Sequence, residues 1–152
     1  MQVKKIVMAS DHAACELKAY LKEALLAKGY EVIDYGTETA EQSVDYPDKA
    51  YLLAKSLKKK EADVGILLCG SGIGMSIAVN RYNHVRGALV HSVEYAKLSR
   101  QHNDANVLVL GGRFLNLKEA LEITNTFLTT DFEGDRHARR VAKLGDMPHD
   151  FE

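Results

Sequence analysis

The chain has 152 residues, is 46% hydrophobic and 27% charged, and carries a formal net charge of −1. That length favours one domain around a single core, expected to span residues 1–152, and the near-neutral charge supplies no basic field for nucleic acid or an anionic membrane surface. No apolar run nears the ~18 residues of a membrane span. The start, Met1-Gln2-Val3-Lys4-Lys5, lacks the apolar core of a signal peptide, and two cysteines, Cys15 and Cys69, make no disulfide framework. The cytoplasm, where thiols stay reduced, is the expected location.

In chain order, Ile6-Val7-Met8-Ala9 reads as a short strand that ends at Ser10-Asp11-His12. Leu17, Tyr20, Leu21, Ala24, Leu25 and Lys28 recur at helical spacing, and Gly29 stands where it ends that helix. Glu31 to Tyr35 is a second strand, and Gly36 to Tyr46 is polar and turn-like. Pro47 suits the first turn of a helix that Ala50, Leu53, Ala54 and Leu57 continue to a solvated Lys58-Lys59-Lys60 end. Val64 to Cys69 is an apolar run of the kind found in buried parallel strands. The next helix, from Ile73 to about Arg81, is apolar nearly all round, so it needs cover on more than one side, and a second subunit would supply it. Val85 to Val90 reads as a fourth strand, Val93 to Arg100 as a helix, and Val107 to Leu110 as a fifth strand that runs into Gly111-Gly112-Arg113. A long helix follows, with Asn116 as its cap, and the tail carries Arg136-His137-Ala138-Arg139-Arg140 with Val141 and Leu144 as a thin apolar stripe. Strands alternating with helices imply an α/β fold: a five-stranded parallel sheet covered on both faces, with a C-terminal helix.

The polar residues gather after strands. Asp11 and His12 follow the first, Cys69-Gly70-Ser71-Gly72-Ile73-Gly74 the third, and Arg113 the fifth. His102 and Asn103 instead precede the fifth strand. If the first and third strands are neighbours, their carboxyl ends form a ligand crevice. A lone strand cysteine is more often a small buried hydrophobe, but packing alone does not require three alternating glycines after it. A glycine loop at a helix start instead offers free amide donors to an anion. Cys15, His84, His91 and His149 have no such surroundings and read as structural or surface residues, as does Arg139. Tyr46 is either a turn residue or a ligand contact. Arg113, Arg136 and Arg140 are candidate phosphate clamps, the last two four apart and so on one face of a helix.

The glycine loop is not a dinucleotide fingerprint, which would have glycine where this chain has Met75 and would follow the first strand. Nor is it a nucleotide-phosphate loop, which ends in Lys-Ser or Lys-Thr. No spacing argues for zinc or another metal.

Ser10-Asp11-His12, Asp45-Tyr46-Pro47, Cys69 to Gly74, Ser99 to Asn106 and Gly134-Asp135-Arg136-His137 together resemble the type B ribose-5-phosphate isomerases. That family also includes galactose-6-phosphate isomerase subunits and allose-6-phosphate isomerases. The motif order is kept from the first strand to the tail. The resemblance implies a Rossmann-like three-layer sandwich and a homodimer, in places a dimer of dimers, with sites at the subunit interface. It implies a cofactor-independent aldose–ketose isomerase of the non-oxidative pentose phosphate branch, interconverting D-ribose 5-phosphate and D-ribulose 5-phosphate through an enediolate.

In that scheme Cys69 is the base, His102 assists ring opening, and Asp11 contacts the ring oxygens with Tyr46 nearby. Ser71, Asn103 and the amides of Gly70, Gly72, Ile73 and Gly74 hold the enediolate. His12, Arg113, Arg136 and Arg140 hold the phosphate, some of them from the neighbouring subunit. Met75 stands where one branch of the family has a glutamate base, which indicates the cysteine branch. Ala13-Ala14 departs from the glycine or bulkier pair of many relatives. The His102-Asn103-Asp104 run favours the pentose enzyme over the galactose one, whereas allose phosphate changes no motif.

These residue types suit the chemistry. Removing a proton beside a carbonyl needs a base near the carbon and donors for the oxyanion. A helix start beside a thiol favours the thiolate, so partial thiolate character is expected of Cys69. Sugars are mostly closed rings, which gives an acid/base pair such as His102 with Asp11 a prior task. The phosphate orients the sugar without reacting. The scheme requires the thiol and the arginines to border a common cavity. Two readings of other classes are a non-catalytic sugar-phosphate-binding module and a nicotinamide-dependent oxidoreductase, the latter disfavoured by the missing fingerprint.

Overall fold

The computed structural model describes residues 2–146, so His149 lies outside the described residues. The elements are β1 (Lys5–Ser10), α1 (Cys15–Ala27), β2 (Glu31–Asp34), α2 (Tyr46–Lys58), β3 (Val64–Cys69), α3 (Ile73–Val79), β4 (Gly87–Leu89), α4 (Val93–Gln101), β5 (Val107–Gly111), α5 (Leu117–Thr129) and α6 (Arg136–Gly145). A single 3-10 turn, His12–Ala14, joins β1 to α1. The sheet is wholly parallel in the order β2-β1-β3-β5-β4. β1 and β3 are therefore neighbours, as the crevice requires.

Alternation along the strands sorts the core into two layers. Ile6, Met8, Ile66, Leu68, Leu108 and Leu110 face α1, α4 and α5, meeting Leu17, Leu21, Ala96, Ile123 and Phe127. Val7, Ala9, Leu67, Cys69, Val107 and Val109 face the other way, against Ala50, Leu53 and Ala54 of α2 and Met75 and Val79 of α3. Every residue of β3 is buried, as befits a central parallel strand covered on both faces. The expected three-layer α/β/α sandwich is present.

Two boundaries differ from expectation. The fourth strand shrinks to Gly87–Leu89. The Arg86 N–H donates instead to the Asn106 side chain, and the Asn80 amide brackets both main-chain groups of Gly87. Side chains thus replace the ladder at this sheet edge. α3 stops at Val79, two residues short, where the Asn80 side chain donates to the Ser76 carbonyl. Met75 and Val79 of α3 are buried, whereas Ile73 and Ile77, one turn apart, are 56% and 58% exposed. α5 begins with a full capping box, Asn116 and Glu119 each satisfying the other's amide. His84 binds the Ala54 carbonyl and so has a packing role. No helix among the described residues is long and apolar enough to cross a membrane.

Candidate active site

Cys69 ends β3, beside Gly111 at the end of β5, and is 5% exposed. The chain leaves the strand through Gly70 and Ser71 and reverses at Gly72, whose φ of +82° is one that glycine adopts without strain. That turn aims the Gly72 N–H at the Cys69 sulfur, 3.2 Å away. The next amide, on Ile73, donates to the Ser71 hydroxyl at 3.2 Å. Gly111 permits the close approach of this loop: a methyl there would sit 2.5 Å from the Ser71 carbonyl oxygen.

Two main-chain hydrogen bonds tie the loop to its neighbour. Gly112 N–H donates to the Cys69 carbonyl at 2.8 Å, and Arg113 N–H to the Gly70 carbonyl at 3.0 Å. They lay the Arg113 guanidinium against the Gly70 backbone, where a methyl would stand 3.3 Å from it. Tyr46, the first residue of α2, packs its ring over Gly74. Its sequence position left a turn role or a ligand role open, and the structure sets its exposed ring beside the glycine loop.

Asp11 follows β1, and its N–H donates to the Leu68 carbonyl, which seats it beside Cys69. One carboxylate oxygen accepts the Ala13 N–H at 3.0 Å. His12 accepts the Val44 N–H at Nδ1, so its Nε2–H is the ring's remaining donor. Ala14 is buried and packs against Gly112, so the departure at Ala13-Ala14 fits the small space available.

His102, Asn103, Arg136 and Arg140 are elsewhere. Because α4 runs back against the strands, its last turn lies at the amino edge of the sheet, opposite Cys69. Asn106, just beyond it, accepts from Gly65 at the start of β3. α6 packs at this same edge: the His137 ring stacks on His102 with centroids 4.4 Å apart. Arg136 and Arg140 are exposed, one helical turn apart. Within one chain, then, Asp11 and His102 do not form a pair. Nor does any well-formed pocket among the described residues join the thiol to the arginines. A pocket of ≈ 420 Å³ beside the loop is lined by Ser71, Ile73, His91, Phe114, Leu115 and Glu119, and one of ≈ 560 Å³ at the opposite edge includes Arg86, Asn103 and Leu144. Cys69 lines neither. The sequence carried the signal for this division: His102 and Asn103 precede the fifth strand, and a parallel sheet puts strand starts at the edge opposite strand ends.

Sequence reasoning also gave no role to Glu133 and His137. The Glu133 carboxylate lies 3.8 Å from His102 Nε2 and 3.7 Å from His137 Nε2. Their spacing of four residues was the available signal. Burial above all, then the charges of His102 and Arg136, hold the His137 imidazole below the ordinary histidine value.

Residues 6–144 match the family model described as Ribose/Galactose Isomerase. The chain belongs to this family. Membership makes it an isomerase by class. The family's ribose-5-phosphate isomerase B of Escherichia coli is 42% identical over 142 residues, which cover 93% of this chain and 95% of the relative. A crystal structure of a ribose 5-phosphate isomerase from Thermotoga maritima is 52% identical with a TM-score of 0.92, covering 97% of this chain and all of its own. The Mycoplasma genitalium ribose-5-phosphate isomerase B, solved with bound ribulose 5-phosphate, is 41% identical with a TM-score of 0.89, covering 96% of this chain and 97% of its own.

Proposed function

We propose that this chain interconverts D-ribose 5-phosphate and D-ribulose 5-phosphate at sites built between two copies of itself. The observation that carries this reading is the carboxyl-edge cluster: a cysteine thiol under an amide-lined turn, with Asp11 on one side and the Arg113 guanidinium on the other. A base, oxyanion donors and an anion clamp are what an enediolate isomerisation of a sugar phosphate needs. The relatives named for that reaction support the substrate.

The division of the site supports the dimer. His102, Asn103, Arg136 and Arg140 at the amino edge of one copy complete the cluster at the carboxyl edge of the other. Ile73 and Ile77 stand exposed on the first turns after the catalytic loop and are the apolar surface for a second copy. A twofold pairing of opposite edges yields two equivalent sites.

In the reaction Arg113, His12 and the partner copy's Arg136 and Arg140 hold the phosphate and so fix the sugar. The partner copy's His102 moves a proton between the ring oxygen and the hydroxyl at C1, opening the ring against Asp11. The Cys69 sulfur takes the C2 proton. Charge shifts to O1, where the Gly70–Gly74 amides, Ser71 and the partner copy's Asn103 receive it. The O2 hydroxyl proton passes to O1, and return of the carbon-bound proton to C1, with O2 becoming the carbonyl, gives the ketose. These steps use no cofactor and suit a cytoplasmic enzyme of pentose phosphate metabolism. The test is purified protein with ribose 5-phosphate and nothing else: ribulose 5-phosphate accumulates to equilibrium. A protein that binds the sugar phosphate without converting it is a binding module and contradicts the proposal.

A further inference from the structure

The loop between α5 and α6 folds over the end of α4. The Glu133 N–H donates to the Gln101 carbonyl at 3.0 Å, which pins this loop next to His102. From α6, His137 lays its buried ring on that of His102, the planes 15° apart. Both imidazoles turn Nε2 toward the same Glu133 carboxylate oxygen, at 3.8 and 3.7 Å. Two helices and a loop thus hold one imidazole by a face and by one nitrogen.

We propose that Glu133 is a positioning residue for His102: its carboxylate keeps the proton on Nε2 and so presents Nδ1 as the bare nitrogen that meets the sugar. This deepens the isomerase reading and rests on it. A neutral imidazole carries one N–H and one lone pair, and the nitrogen facing an anion keeps the hydrogen. At 3.7–3.8 Å the contact is electrostatic, and the half-exposed Glu133 side chain closes it by a small rotation.

The other groups around His102 leave this role to Glu133. Arg100, on the same turn of α4, is spent on Asp104, the Ala105 carbonyl and the Thr130 carbonyl. On α6, Arg136 and Arg140 act on His137, which burial and these charges hold below the ordinary histidine value. It is a wall for the ring rather than a second cation. The three donor atoms lie within 4.8 Å of one another, as in a transition-metal site, but the two arginine charges oppose a cation there.

Glu133→Gln keeps the size and the main-chain bond and removes the charge. Nitrogen chemical shifts of His102 then change from one tautomer in the wild type to a mixture in the variant. The turnover number on ribose 5-phosphate falls severalfold with KM little changed. Turnover of an open-chain substrate analogue stays at the wild-type rate, and Glu133→Asp recovers part of the loss on the cyclic sugar. An unchanged tautomer with unchanged turnover of ribose 5-phosphate overturns the inference, as do equal losses on cyclic and open-chain substrates. A wild-type protein that fails to isomerise either substrate overturns the parent reading, and the inference falls with it.

Discussion

The Gly72 amide points at the Cys69 sulfur from 3.2 Å, so one turn of backbone sets the proposed base and an amide donor beside it. Gly72→Ala disturbs that turn directly. The residue sits at φ +82°, and an added methyl would stand 2.5 Å from Leu89 Cδ1 and 3.1 Å from the Leu110 carbonyl carbon. A left-handed alanine costs ~1–2 kcal/mol before any clash. The variant is therefore expected to melt several degrees lower and to lose roughly tenfold or more in turnover, as a shift of the loop misplaces the donors. Thermal unfolding and steady-state kinetics check both.

In the proposed dimer, Cys69→Ala and His102→Asn remove opposite edges of one site. Each variant alone is expected to be inactive or nearly so. Mixed after unfolding and refolding, random pairing gives half mixed dimers with one intact site in two, hence about a quarter of wild-type activity. A site formed within a single chain recovers none.

If Arg113, Arg136 and Arg140 clamp the phosphate as proposed, an alanine at each deletes charge-assisted hydrogen bonds to it. Binding should weaken by roughly ten- to hundredfold per arginine, with a smaller effect on turnover of bound sugar. Inhibition constants for a non-reacting sugar phosphate measure this. Arg139→Ala, on the same helix, should leave them unchanged.

Behind the site, Lys18 and Asp34 form a nearly buried ion pair at 2.6 Å, their side chains 2% and 8% exposed. Asp34 also holds the Gly36 amide, and the Gly36 carbonyl accepts the Ser10 N–H beside Asp11. Lys18→Met leaves the carboxylate only the Gly36 amide and the partly exposed Lys22, 3.2 Å away, and should cost about 3 kcal/mol in a denaturant melt. Burial raises the Asp34 carboxyl, but hydrogen bonds from Lys18 and the Gly36 amide outweigh it and hold it below the usual value of 3.8. A depressed carboxylate stabilises the fold above its unfolded value and loses that contribution as pH falls through the folded one. The stability gap between wild type and Asp34→Asn should therefore narrow below about pH 4, where acid-range melts will show it.

Much of this fold could be read from the chain alone. β3 is legible because a fully buried strand is apolar throughout, and α5 because Asn116 and Glu119 spell a cap. The carboxyl-edge residues were legible because they follow strands, and every strand of a parallel sheet ends on the same side. Gly87–Leu89 was overestimated because Val85 and Val90 continue an apolar pattern that side-chain amides interrupt. His102 was found by its motif, and its place before a strand rather than after one already set it at the edge opposite Asp11. Glu133 and His137 went unassigned because only the packing of α6 on α4 brings them together.

The central claim is that the Cys69 sulfur moves the proton. The direct measurement is deuterium incorporation at C1 of ribulose 5-phosphate formed in heavy water, for wild type and Cys69→Ala, with sugar-phosphate binding followed in parallel. Wild type is predicted to yield labelled ketose, and the variant to bind sugar phosphate with near-normal affinity while yielding none. Labelled ketose from Cys69→Ala at the wild-type rate would contradict the account.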